Sequence, residues 1–256
     1  MPEPADHQIS AQSYLDALAP VMGAVTEQAT GPVLAAADLI AQSVSSGGVL
    51  QTFGSGHSEA LAMELAGRAG GLVPSNRISL RDVVVHGGDS PDVLGRGILE
   101  RDPSIAGRLY ELAAPDPRDV FVIASSSGVN GSVVEMARIV KEHGHPLIAI
   151  TSLAHTQGVD SRHPSGQKLV DHADVVLDNG APYGDAVLPL PGGGSACAVS
   201  SITAALLAQM VTAEVVRRLL DAGETPPVYL SANVPGGDEH NHALEERYEG
   251  RIRRTA

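Results

Sequence analysis

The stretch Val49-Leu50-Gln51-Thr52-Phe53-Gly54-Ser55-Gly56-His57-Ser58 decides the fold. Val49 to Phe53 is a short, mostly apolar run closed by glycine, the pattern of a strand buried on both faces. A glycine- and serine-rich turn follows, and a helical pattern over roughly 57–69 comes next. Strand, tight turn and helix in that order are the unit from which parallel α/β sheets are built. Similar apolar runs at Val120 to Ala124, Leu147 to Thr151 and Val175 to Leu177 repeat the strand. Helical periodicity at Pro103 to Ala113, Ser132 to His143 and Ala196 to Ala222 supplies the crossovers. The expected fold class is therefore α/β, a doubly wound parallel sheet, with ligands bound outside the carboxyl ends of its strands.

Working outward, apolar residues from Leu15 to Val44 recur at three- and four-residue steps and are interrupted by Gly31-Pro32. They predict an N-terminal helical segment over about 8–45, as two helices or one broken helix. The segment Asn179 to Ser195, with Pro182, Pro189, Pro191 and three successive glycines, reads as a long loop able to fold over a site. No repeat or linker divides the chain, so 1–256 is expected to form one domain.

Composition narrows the function. The 17 Lys and Arg against 30 Asp and Glu give a formal net charge of −13, which leaves no basic surface for a nucleic-acid backbone. Neither nucleic acid nor an anionic membrane is expected as a partner. A single phosphate is still compatible, because backbone amides hold it locally. Met1 to Ser10 has no basic residue before an apolar run, and no stretch approaches the ~18 apolar residues of a membrane span, so a cytoplasmic location is expected. Cys197 is the only cysteine; an intramolecular disulfide is excluded, and its apolar surroundings predict a buried thiol.

Two loops carry the chemistry. Gly54, Ser55, Gly56, His57 and Ser58 lie between strand and helix, where free N–H groups face an anion. The loop is neither a Walker A motif nor a dinucleotide fingerprint, since no Gly-Lys-Ser/Thr follows and Glu59 stands where the third glycine belongs. Alone, it has a tight turn without a ligand as its lesser alternative. The second loop, Ser125-Ser126-Ser127-Gly128-Val129-Asn130-Gly131-Ser132, again follows a strand. Ser132 with Glu135 reads as a capping box, but three consecutive serines exceed what a cap needs and suit a dianionic phosphate.

These loops, with the run Glu64-Leu65-Ala66-Gly67-Arg68, resemble the sugar isomerase, or SIS, domain. The first segment is similar to the part of phosphoheptose isomerases that ends in Glu-Leu-Thr-Gly-Arg. The second is similar to their Ser-Thr-Ser-Gly-Asn-Ser loop, with Val129 and Gly131 as insertions. Ser161-Arg162-His163, Gly184-Asp185, Ser231-Ala232-Asn233 and Gly236 to Asn241 place the chain nearest an uncharacterised, phosphoheptose-isomerase-like SIS subgroup. The resemblance implies a three-layer αβα sandwich with a five-stranded parallel sheet of flavodoxin-like order. It implies a sugar phosphate held by Ser55, Ser125, Ser127 and Ser132, and Glu64 as the active-site carboxylate. It also implies a homodimer or tetramer.

On the residues themselves, Glu64 lies seven positions after His57, about two helical turns along one face. A carboxylate there reaches the carbon beside a carbonyl in a sugar whose phosphate sits at the helix start, and removes its proton. The alternative is a plain i,i+4 ion pair with Arg68. A second, acidic group is required. The resembling isomerases take a histidine from the long C-terminal helix, which here has none between Ala196 and Leu220. Glu239 and His240 are the preferred candidates, with His57 and His163 as others. Arg162 and His163 read either as contacts to substrate or a neighbouring subunit, or as solvated loop residues. No metal and no organic cofactor are expected, since no third ligand accompanies His240 and His242 or His143 and His145. The expected activity is cofactor-independent aldose–ketose isomerisation of a hexose or amino-sugar 6-phosphate. The alternatives are elimination from C3 of an N-acetylamino-sugar 6-phosphate, and a non-catalytic sugar-phosphate sensor.

Overall fold

The computed structural model describes residues 9–254, so the reading of Met1 to Gln8 lies outside the described residues. In chain order the helices are α1 (Ala11–Ser45), α2 (Glu59–Leu65), α3 (Asp82–Val85), α4 (Ser104–Ala113), α5 (Gly131–Glu142), α6 (Leu153–Gln157), α7 (Ser200–Asp221) and α8 (Gly237–Glu245). The strands are β1 (Leu50–Gly54), β2 (Ser75–Ile78), β3 (Val120–Ala124), β4 (Leu147–Thr151), β5 (Val175–Asp178), β6 (Ala186–Pro189) and β7 (Ser195–Ala198).

Five strands form a parallel sheet in the order β2-β1-β3-β4-β5, the flavodoxin-like order. Side chains alternate across it. Val120, Val122 and Ala124 of β3 join Leu50, Ile148 and Ile150 in a core beneath α1, α2 and α7. Phe121 and Ile123 join Phe53, Leu147 and Ala149 in a second core beneath α4 and α5. Each face is therefore covered, which is why β3 and β4 read as apolar runs, while β1 buries the polar Gln51 and Thr52 among apolar neighbours. The order reverses between β1 and β3, and a cleft opens above their carboxyl ends at that point.

Several expectations are corrected. α1 is one helix that passes through both Pro20 and Pro32. Its buried stripe, including Val25, Val33, Ile40 and Val44, packs on the sheet and α7 and holds the axis through the missing N–H bonds. The helix expected from His57 to Ala69 is a 3₁₀ turn, Gly56–Ser58, followed by α2, which ends at Leu65. The long C-terminal helix begins at Ser200 rather than Ala196, because Ser195–Ala198 is β7. β7 pairs antiparallel with β6, so the stretch from Asn179 to Ser195 holds a strand and a hairpin turn instead of an open loop. Cys197 sits on β7 with φ +65° and is exposed, not buried. α5 starts one residue early, with Asn130 at its cap and no side-chain cap bond, so the Ser132–Glu135 capping box does not form.

Two histidines couple this fold to pH. His145 is buried between Tyr110 Oη, 2.8 Å from Nε2, and the Asp119 carbonyl, 3.1 Å from Nδ1. The carbonyl only accepts, so Nδ1 carries the proton and Nε2 accepts from the tyrosine. Burial pushes the pKa of His145 below its ordinary value, and burial does the same for His172. The unfolded chain therefore takes up protons near pH 6.5 that the native state refuses, and stability is lost as pH falls below about 6.5. Thermal melts from pH 7.5 down to 5.5 are expected to fall steadily, and His145→Gln to flatten the slope. An unchanged slope in that variant removes His145 as a cause.

Candidate active site

The first loop closes on itself through glycine. A Cβ on Gly54 would lie 2.3 Å from the Ser58 carbonyl oxygen, and Gly56 takes φ +58°. This turn delivers His57 and Ser58 to a cavity of about 110 Å³ above the switch point. Leu61 of α2 lines it on one side, and Ala124, Ser125 and Ser126 at the end of β3 line the floor. Ile150 and Asn179, at the ends of β4 and β5, continue the wall, and Asp185 with Ser200 and Ser201 closes it at the start of α7.

The serine loop is rigid. Ser125 Oγ accepts from Gly128 N–H at 3.1 Å, the Ser126 carbonyl accepts from Ser152 N–H at 3.1 Å, and the Ser127 carbonyl accepts from Thr156 Oγ1 at 2.9 Å. Within this frame Ser126 Oγ is buried and has no hydrogen-bond partner among the described residues. A buried hydroxyl left unpaired costs roughly 1–3 kcal/mol, and Ser126 is one of the residues that line the cavity. Asp185 caps α7: its Oδ1 accepts from Val199 and Ser200 N–H at 3.1 and 2.8 Å, and its Oδ2 from Ser200 Oγ at 2.6 Å.

Glu64 does not border the cavity, but it stands one turn beyond Leu61 on α2, next to α7. Gln209 Nε2 of α7 donates to Glu64 Oε1 at 2.7 Å, and Arg68 pairs with the same oxygen. Both partners thus hold Oε1. The seven-residue helical register from His57 does not apply, because the 3₁₀ turn intervenes.

The remaining candidates are dispersed. Ser55 stands at the N-cap position of the 3₁₀ turn without a side-chain cap bond and is buried, and Gly56 borders a separate cleft with Glu59, Arg81 and Glu100. Ser127, Asn130 and Ser132 are outside the cavity; Ser132 Oγ donates to the Glu100 carbonyl at 2.8 Å. Arg162 Nη1 donates to Asn130 Oδ1 at 3.2 Å, and His163 Nε2 lies 3.0 Å from Glu135 Oε2, so both pin their loop to the start of α5. Glu239 and His240 lie on α8. His240 Nε2 is 3.0 Å from the Val228 carbonyl, and Glu239 borders an open surface cleft of about 740 Å³ with Tyr229 and Arg254. That cleft is larger than the serine cavity but has no unpartnered buried group, and the serine cavity is the stronger candidate. Among the described residues no cluster of three or more His, Cys, Asp and Glu is arranged for a metal, and no helix is long and apolar enough to cross a membrane.

Sequence reasoning missed Asn179, Ser200, Ser201 and Gln209. Gln209 left a usable signal, a long amide inside the apolar run from Ala204 to Val211.

A parallel sheet of this order places ligand sites at its switch point without saying which ligand, and the sequence comparison supplies the family. Residues 13–152 match the SIS domain, and the chain belongs to that family. It is 42% identical over 218 residues to UPF0309 protein lmo0025 of Listeria monocytogenes, an alignment spanning 85% of this chain and 88% of the other. To UPF0309 protein TTE0306 of Caldanaerobacter subterraneus it is 37% identical over 222 residues, spanning 85% and 89%. Two solved structures share the fold. A phosphoheptose isomerase from Francisella tularensis superposes with a TM-score of 0.55 at 15% identity, over 80% of this chain and 96% of that one. Phosphoheptose isomerase GmhA from Neisseria gonorrhoeae gives 0.54 at 18% identity, over 80% and 96%.

Proposed function

We propose that the chain is a cofactor-independent enzyme that isomerises a hexose or amino-sugar 6-phosphate by removing the proton at C2. The observation that carries this reading is the buried, unpartnered hydroxyl of Ser126. Together with Ser58 and Ser125 it offers short donors to a phosphate at the switch point, where such sheets bind ligands. The sugar runs from there along α2 and α7 toward Glu64. With Oε1 held by Arg68 and Gln209, the second oxygen of Glu64 is the base. It takes the C2 proton, the carbonyl at C1 becomes an enediol, and return of a proton to C1 yields the ketose.

The enediol stage needs a group that moves a proton between the two oxygens. His57 borders the serine cavity, whereas Glu239 and His240 sit on α8 against Val228 and Tyr229, so the geometry favours His57. Calorimetric titration with glucose 6-phosphate and glucosamine 6-phosphate is the test. Ser126→Ala is expected to weaken binding about tenfold, the worth of one charge-assisted hydrogen bond, with the melting temperature unchanged or raised. Equal affinity in the variant and the unaltered chain places the phosphate elsewhere.

A further inference from the structure

Four of the chain's 17 basic residues, Arg68, Arg77, Arg253 and Arg254, line a single cavity of about 290 Å³ beside the end of α2. Met63, Ala66 and Gly67 complete the wall, and no Asp or Glu is among its lining residues. In a chain of net charge −13, this is a local reversal of sign. Glu64 pairs with Arg68, Glu59 stands 4.0 Å from Arg77 and Glu245 stands 3.4 Å from Arg254, so three of the four arginines each face a carboxylate outside the lining. Arg254 is committed to the fold: its Nη1 and Nη2 donate to the Ser75 and Val73 carbonyls at 2.8 and 2.6 Å, and its guanidinium stacks 5.1 Å from the Tyr229 ring centroid.

Arg253 differs. Its guanidinium makes no hydrogen bond or ion pair among the described residues, yet its backbone is fixed. Arg253 N–H donates to Asn76 Oδ1 at 2.7 Å, and Asn76 Nδ2 donates to the Arg251 carbonyl at 2.7 Å, so β2 clamps the segment and presents the side chain to the cavity. A positioned guanidinium with unused donors, among three others, matches the forked geometry by which arginine recognises phosphate.

We propose that this cavity binds a phosphate-class dianion. It lies on the opposite side of α2 from the serine cavity, since Leu61 borders the one and Met63 and Ala66 the other. Arg68 links this cavity to Glu64, because the side chain that lines the cavity also pairs with that carboxylate. If Glu64 is the base, as the function above has it, a dianion drawing on Arg68 competes for the partner that holds Glu64 Oε1.

The test is calorimetric titration of inorganic phosphate and, separately, glucose 6-phosphate into the full chain, its Arg253→Gln variant, its Ser126→Ala variant and the variant carrying both. Arg253→Gln breaks no bond of the fold, so its melting temperature serves as the control. In the Ser126→Ala background, where the serine cavity is weakened, phosphate is expected still to bind, and adding Arg253→Gln is expected to weaken that remaining binding about tenfold. Glucose 6-phosphate that displaces the Arg253-dependent phosphate identifies that occupant as the substrate's own phosphate and counts against the serine cavity; glucose 6-phosphate that leaves it in place identifies a separate effector. Equal phosphate affinity with and without Arg253→Gln in that background, or no phosphate binding to the unaltered chain, overturns the site. Failure of glucose 6-phosphate alone to bind counts against the proposed function and leaves the arginine cavity standing.

Discussion

Glu64→Gln is expected to lower kcat by two to four orders of magnitude, the usual contribution of a positioned general base. The substitution is nearly silent structurally. A glutamine retains an oxygen that accepts from Gln209 and Arg68, the two partners of Glu64 Oε1, and replaces only the oxygen assigned to proton transfer. Binding of the sugar phosphate is expected to persist, since the serine loop is untouched. Gln209→Leu is expected to have a smaller effect of the same sign, because Arg68 still holds the carboxylate. A Glu64→Gln protein with more than a tenth of the original kcat shows that another group removes the proton.

The second large effect concerns stability and centres on Asp119. Its carboxylate is fully buried and answers four donors: Val49 N–H at 2.8 Å, Gln51 Nε2 at 2.9 Å, Asp116 N–H at 3.0 Å and Arg251 Nη2 at 2.6 Å. It thereby ties the start of β1 and the turn before β3 to the C-terminal segment. Asp119→Ala leaves all four donors without that acceptor, in a place where Gln51 Oε1 is already buried and unpartnered. Breaking such a set costs about 3–5 kcal/mol, or roughly 10 °C in melting temperature for a chain of this size. Arg251→Ala removes one donor and leaves the other three, so it is expected to cost clearly less. A loss below about 1 kcal/mol for Asp119→Ala would show that water enters and replaces the acceptor.

The parts of the fold legible in the sequence are those where burial decides the pattern. β3 and β4 are covered on both faces and read as plain apolar runs, with the bounds the structure has. β2 escaped because Ser75-Asn76-Arg77-Ile78 is an edge strand, and its polar groups serve the C-terminal segment rather than the core. The hairpin of β6 and β7 escaped because its turn is built from Gly192, Gly193 and Gly194, all with positive φ, so proline and glycine hide the strand signal. α1 was expected to break at Gly31-Pro32 because local propensity favours it, and tertiary packing overrides that preference.

The site shows the same division. The position of Ser125 and Ser126 at a strand's carboxyl end was legible because loop and strand are contiguous. Asp185, Ser200 and Gln209 reach the site from segments more than 100 residues away from the first loop, and nothing local announces such a convergence. Ser132 was misread because a capping box depends on a register that the apolar pattern does not resolve, and the cap lies two residues earlier, at Asn130.

The most direct test of the central claim is proton exchange at C2. The unaltered chain is incubated in heavy water with glucose 6-phosphate, glucosamine 6-phosphate and their N-acetylated and ketose counterparts, and C2 deuteration and product mass are followed by NMR and mass spectrometry. The account predicts deuterium at C2 of at least one aldose phosphate, with a ketose of unchanged composition, and loss of both in Glu64→Gln. A product lighter by one water would replace isomerisation with elimination, and binding without any exchange would contradict catalysis by Glu64 altogether.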